Sequence, residues 1–167
     1  MSIEFVTVGV YGFDADHFFQ ALTDAHVDTL CDIRRRRAVR GAEYAFANSQ
    51  RLQARLAEMG IRYLHYIDLS PSAELRKRQE AADKQGHTAR RKRALLSPQF
   101  VQGYEESVLA GFNDAAFVAS LGPEAHVVAL LCVEREPAAC HRSLLAAHLH
   151  EKLGVPVHHI TPAPVAT

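Results

Sequence analysis

Residues 126–154 read HVVALLCVEREPAACHRSLLAAHLHEKLG: a continuous apolar run, an acidic loop, and a mixed stretch that stops at a glycine. An apolar run without alternation is the signature of a strand buried on both faces, as in a parallel sheet. Pro137 suits the first position of a helix and Gly154 its end, so the spacing predicts a helix over 138–153. A strand feeding a helix in this way is the unit of an α/β fold, whose ligands bind beyond the carboxyl ends of the strands. Cys140, His141 and Arg142 then fall in the opening turns of the helix, where free N–H groups and the helix dipole attract anions. An arginine fork there suits phosphate or carboxylate, and the same position lowers a thiol pKa. In the plainer alternative Cys140 packs the helix on the sheet, and Arg142 pairs with Glu134 or Glu136.

The same alternation runs outward through the chain. Residues 3–10 (IEFVTVGV) are apolar and β-branched and break at Gly9 to Gly12; Asp14 then caps a helical stretch with Phe18, Ala21, Leu22 and Ala25 on one face. A short strand is expected at 29–33 and another at 62–66, separated by a basic loop and a helix that Asn48 or Ser49 caps and Gly60 stops. Ser70-Pro71 opens a helix through about residue 82, residues 83–96 carry no clean period, and Ser97-Pro98 opens a longer helix to about residue 120, weakened by Gly103 and Gly111. Residues 155–160 form a last strand. The expectation is one α/β domain over 1–161, Rossmann-like and three-layered, with a mostly parallel sheet of about five strands. Residues 162–167 form a low-order tail.

The chain has 167 residues, 48% of them hydrophobic, enough to bury a core without a metal or disulfide framework. No apolar run approaches the roughly 18 residues of a membrane span, and the N-terminus lacks the basic start and cleavage site of a signal peptide. A cytoplasmic protein with three reduced cysteines, Cys31, Cys132 and Cys140, is the resulting expectation. The net charge of zero conceals a segregation: residues 34–93 hold 16 Lys and Arg against 6 Asp and Glu, and the remainder holds 3 against 13. The runs at 34–37, 76–78 and 90–93 form a phosphate-attracting face if folding unites them, and otherwise keep loops in water.

The polar residues just past each strand are the candidate site. Tyr11 and Gly12 follow the first strand. Asp32 and Arg34 share a face at the end of the second, as Cys132 and Glu134 do at the end of the fourth. Arg34 and Arg142 are expected to clamp an anion, with Tyr11, Gly12, His141 and Ser143 lining the site and Asp32 or Glu134 as general acid or base; salt bridges among these groups are the structural alternative. A nucleophilic Cys140 is a further candidate. Its difficulty is the base, because adjacent helical residues do not face each other, so that a distant histidine such as His65 would have to serve. No metal is expected, since Cys132-x7-Cys140-His141 matches no common zinc spacing, and no cofactor, since neither a Walker loop nor Gly-x-Gly-x-x-Gly is present. The partner is an anionic small molecule or a nucleic acid, without a membrane. Three functions stay open: an enzyme acting on a nucleotide or nucleic-acid phosphate, a non-catalytic nucleic-acid-binding module using residues 34–93, and a thiol-redox or sulfur-handling protein acting through Cys140.

Three stretches, TVGVYGFDADHFFQALTDAHVDTLCDIR at 7–34, LAEMGIRYLHYIDL at 56–69 and LLCVEREPAACHRSLLAAHLHEKLGVPVHHI at 130–160, resemble the bacterial and archaeal family of domains of unknown function DUF488 in order and spacing. The specific parts are Asp32-x-Arg34, Cys132-x-Glu134 and Cys140-His141-Arg142-Ser143. The resemblance implies a small α/β domain with a site at those positions and supplies no established reaction. The basic insert ADKQGHTARRKRALLSP at 82–98 departs most from the family pattern.

Overall fold

A computed structural model describes residues 2–163. Five strands, β1 (Glu4–Val8), β2 (Thr29–Asp32), β3 (Arg62–His65), β4 (Val127–Leu131) and β5 (Val157–Ile160), form one sheet in the order β3-β2-β4-β1-β5. Every pairing is parallel. The helices are α1 (Ala15–Asp24), α2 (Ser49–Glu58), α3 (Ala73–Gln85), α4 (Pro98–Tyr104), α5 (Asp114–Leu121) and α6 (His141–Leu153). None of them is long and apolar enough to cross a membrane.

The two-residue period of the strands sorts the apolar side chains into two cores. Val6, Val8, Leu30, Ala129 and Leu131 face Phe18 and Leu22 of α1 and Leu52 and Leu56 of α2. Phe5, Cys31, Val128 and Leu130 face the other layer, where Phe100, Tyr104, Phe117, Leu145 and Leu149 project from α4, α5 and α6. The three-layer α/β arrangement expected from the sequence is therefore present.

Strand order matters most for the site. In the commonest doubly wound order β1 lies next to β2; here β4 sits between them, with Asp32 in register with Leu131. The chain leaves β2 toward the α2 face and leaves β4 toward the α6 face. Their carboxyl ends diverge, and the crevice between them is where α/β sheets bind ligands.

Three boundaries differ from the sequence reading. The helix expected over 98–120 is two: α4 passes into a π-helical turn at Glu105–Leu109, the chain breaks at 110–113, and the Asn113 side chain caps α5 by accepting from the Ala116 N–H. Helix α3 begins two residues later than Ser70-Pro71, with Ser72 as its cap. The last helix begins at His141 instead of 138: Pro137–Ala139 form a separate short 3-10 turn, and Cys140 is the extended residue ahead of α6. Of the tail expected at 162–167, residues 164–167 lie outside the described residues.

Candidate functional site

A cavity of about 570 Å³ opens at the carboxyl ends of β2 and β4 and is roofed by α3 and the segment 89–96. Its floor is made of Cys132, Glu134, Cys140 and His141, and its walls include Tyr11, Arg34, Pro71 and Phe100. Eight lining side chains are arginine or lysine and two are glutamate. All three basic runs contribute to it: Arg34, Arg35 and Arg36 from the loop after β2, Arg76 from α3, and Arg90 with Lys92 and Arg93 from the insert.

Arg34 is held by the strand that carries it. Its Nε and Nη2 donate to Asp32 Oδ1 and Oδ2, each at 2.8 Å, and Tyr63 Oη donates to Asp32 Oδ2 at 2.6 Å. Both partners are almost completely buried. The remaining Nη1 of Arg34 is buried without a hydrogen-bond partner. Asp32 does not line the cavity, so its place is to orient the Arg34 fork. His65, weighed as a distant base, is engaged at 2.8 Å with the Arg34 carbonyl. Arg76 has an unpartnered buried Nε, and burial together with the neighbouring Arg36 and Arg35 pulls its pKa down.

Glu134 is fixed by the basic insert. Arg90 Nε and Arg93 Nη2 each donate to Oε1 at 2.9 Å, while Arg93 also reaches Asp83 at 2.7 Å and the Ala139 carbonyl. Its other oxygen, Oε2, lies 3.7 Å from the Cys132 sulfur. Burial and the adjacent Cys140 push the Glu134 pKa up against the pull of Arg90 and Arg93.

At the deepest point His141 Nε2 donates to the Ile33 carbonyl at 2.9 Å, which turns Nδ1 toward both cysteines. Nδ1 is 3.5 Å from Cys132 Sγ and 3.8 Å from Cys140 Sγ. The expectation that His141 and Cys140 cannot face each other is corrected here: it assumed both were helical, whereas Cys140 has φ −137° and ψ 146° and stands before the helix. Burial disfavours the charged form of both thiols. It carries Cys132 up, with help from Cys140, whereas the Cys132 thiol, His141 and Arg142 overcome it at Cys140 and hold that thiol well below its usual range. Burial likewise opposes charge on His141, and the neighbouring Cys140 outweighs it and raises the imidazole.

The remaining candidates serve the frame. Arg142 is completely buried, donates to the Glu134 and Arg135 carbonyls at 2.6 and 3.2 Å, and does not line the cavity. It shapes the loop after β4 through these backbone carbonyls, and not through the Glu134 or Glu136 carboxylate with which the plainer alternative paired it. Ser143 Oγ donates to the Cys140 carbonyl at 2.9 Å. Gly12 adopts φ +91° beneath Pro162 and Arg135 and stands outside the cavity lining. The sequence reading left Arg76, Arg90 and Arg93 out of the site. The charge excess of 34–93 was the available signal, without a direction to aim it.

No curated protein and no solved structure matches this chain. A family model, described as Domain of unknown function DUF488, matches residues 14–149, a span that includes β2, β4 and every floor residue of the cavity. The chain therefore belongs to the DUF488 family.

Proposed function

We propose that this chain is an enzyme acting on a small phosphate-bearing substrate of about nucleotide size, bound in the cavity between β2 and β4. The observation that carries the reading is the crowding of arginines around a confined space, with Arg34 Nη1 and Arg76 Nε buried and without partners. Like charges gathered in this way repel one another, and an anion relieves that repulsion while satisfying the open N–H groups. Guanidinium forks match phosphate oxygens in geometry as well as charge. The volume falls in the range of about 300–1,000 Å³ usual for small-molecule sites. Glu134 is the acid or base of this reading, since it is buried at the floor and burial favours a proton on it. A site that only held nucleic acid would spread its cations over an open face, and confinement of the basic runs around one cavity favours the small substrate over the binding module.

The test is thermal unfolding of wild type and Arg76→Gln against phosphate, mononucleotides, dinucleotides and short RNA and DNA. A ligand at a hundred times its Kd stabilises by about 2.7 kcal/mol, which raises Tm by roughly 5–10 °C at this chain length. The expected result is such a rise with one class of small phosphate ligand, reduced at least tenfold in apparent affinity by Arg76→Gln. Stabilisation by polynucleotide alone, equal in the variant, overturns the reading.

A further inference from the structure

We propose that Cys132, Cys140 and His141 hold a thiophilic divalent metal ion of the zinc class, with one coordination position open to the cavity. Two sulfurs and one imidazole nitrogen, from the end of β4 and the residues leading into α6, lie within 4.8 Å of one another and are all buried. A four-coordinate zinc with Zn–S of about 2.3 Å and Zn–N of about 2.1 Å separates its sulfur and nitrogen ligands by roughly 3.5–3.6 Å. The distances from His141 Nδ1 to the two sulfurs, 3.5 and 3.8 Å, are near those of such a tetrahedral edge.

The surroundings supply a second, independent observation. Ligating histidines characteristically donate their other N–H to a carbonyl or carboxylate, which fixes the tautomer and aims the lone pair at the metal. His141 Nε2 does so to the Ile33 carbonyl, and Nδ1 faces the two sulfurs and, among the described residues, no other hydrogen-bonding group. Thiols are weak hydrogen-bonding groups, and beyond the attraction between Cys140 and His141 the cluster offers no partner shared by all three atoms, whereas a metal satisfies all of them together. Glu134 Oε1 is taken by Arg90 and Arg93, and its Oε2 stands beside Cys132. That leaves three protein ligands, a carboxylate at their side and a cavity above them. Catalytic zinc sites keep this plan: the fourth position holds water, whose pKa the ion lowers, and a neighbouring carboxylate takes the proton.

This inference gives the proposed reaction a metal-bound water at the floor, and its test needs no substrate. The full chain is reduced, treated with a chelator, and titrated with Co²⁺ and then Zn²⁺. The expected result is one equivalent of Co²⁺ bound, a thiolate-to-cobalt charge-transfer band in the near ultraviolet, d–d bands of four-coordinate intensity, and displacement by Zn²⁺. Cys31→Ala, whose thiol lies in β2 outside the cluster, keeps all of these, and Cys132→Ser or Cys140→Ser loses the charge-transfer band or weakens binding by at least a hundredfold. Should the serine variants unfold, X-ray absorption at the zinc edge of wild type decides: two sulfur ligands at about 2.3 Å are expected. A folded wild type that binds no metal, with both thiols open to alkylation, overturns the proposal. Azide added to the cobalt protein shifts the d–d bands if the fourth position is open; no shift with azide, together with a shift in Glu134→Ala, overturns the open position. Metal binding without nucleotide stabilisation separates failure of the substrate reading from failure of this one.

Discussion

Asp32 and Arg34 show how a carboxylate that looks catalytic in the sequence becomes an orienting group in the fold. Asp32 accepts both nitrogens of the Arg34 fork and the Tyr63 hydroxyl, and nothing is left for a substrate proton. Removing one member of a buried ion pair leaves the other charge uncompensated, which costs about 3–5 kcal/mol. Asp32→Asn is therefore expected to lower stability by about 3 kcal/mol in urea unfolding, whereas Arg76→Gln, whose Nε has no partner to lose, changes it by no more than about 0.5 kcal/mol. Equal losses in the two variants would show that Arg34 is not held as described. The separation of Asp32 and Arg34 by one residue was legible, because a strand's period places both on one face. Their salt bridge stood there as the structural alternative; what was not legible is the Tyr63 hydroxyl, which arrives from β3 and occupies Asp32 Oδ2 as well.

Between elements, the close approach of the ends of β1 and β4 depends on Gly9. A Cβ at that position would run into the Glu134 carbonyl, the same oxygen that accepts from Arg142 Nη1. Backbone and a buried guanidinium cannot give way cheaply, so Gly9→Ala is expected to cost about 1–3 kcal/mol, the usual penalty of overpacking. Its circular dichroism should stay native while the thermal midpoint falls; an unchanged midpoint would mean that the loop after β4 shifts freely. The loop also explains where helix reading failed. Pro137 pointed to a helix start, and the chain does turn there, but only for a short 3-10 turn before Cys140 extends and α6 begins. Propensity marks a start to within a few residues, and here three residues decide whether Cys140 and His141 face apart or together.

Across the whole molecule, eight of the sixteen basic residues of 34–93 line one cavity at the sheet's carboxyl edge, while the acidic excess lies in the rest of the chain. Binding of a phosphate ligand in such a cavity should weaken as salt rises, since screening acts over about 10 Å at 0.1 M ionic strength. Measured by calorimetry from 0.05 to 0.5 M salt, the affinity is expected to fall severalfold, and an affinity flat over that range would place the ligand away from the arginines. The sequence by itself determined the α/β class, the parallel sheet, the strand ends that carry polar residues and the charge asymmetry, because apolar periodicity and composition are local properties. Strand order, with β4 between β1 and β2, was decided only by tertiary structure, through the packing of two opposite helical layers. That order brings Ile33 beside His141 and the insert over Glu134, joining residues more than 40 positions apart. No spacing rule spans such distances; Cys132, Cys140 and His141 stand within nine positions of one another, but their convergence depends on Cys140 extending ahead of α6 and on the Ile33 carbonyl turning the imidazole, which only the folded chain shows.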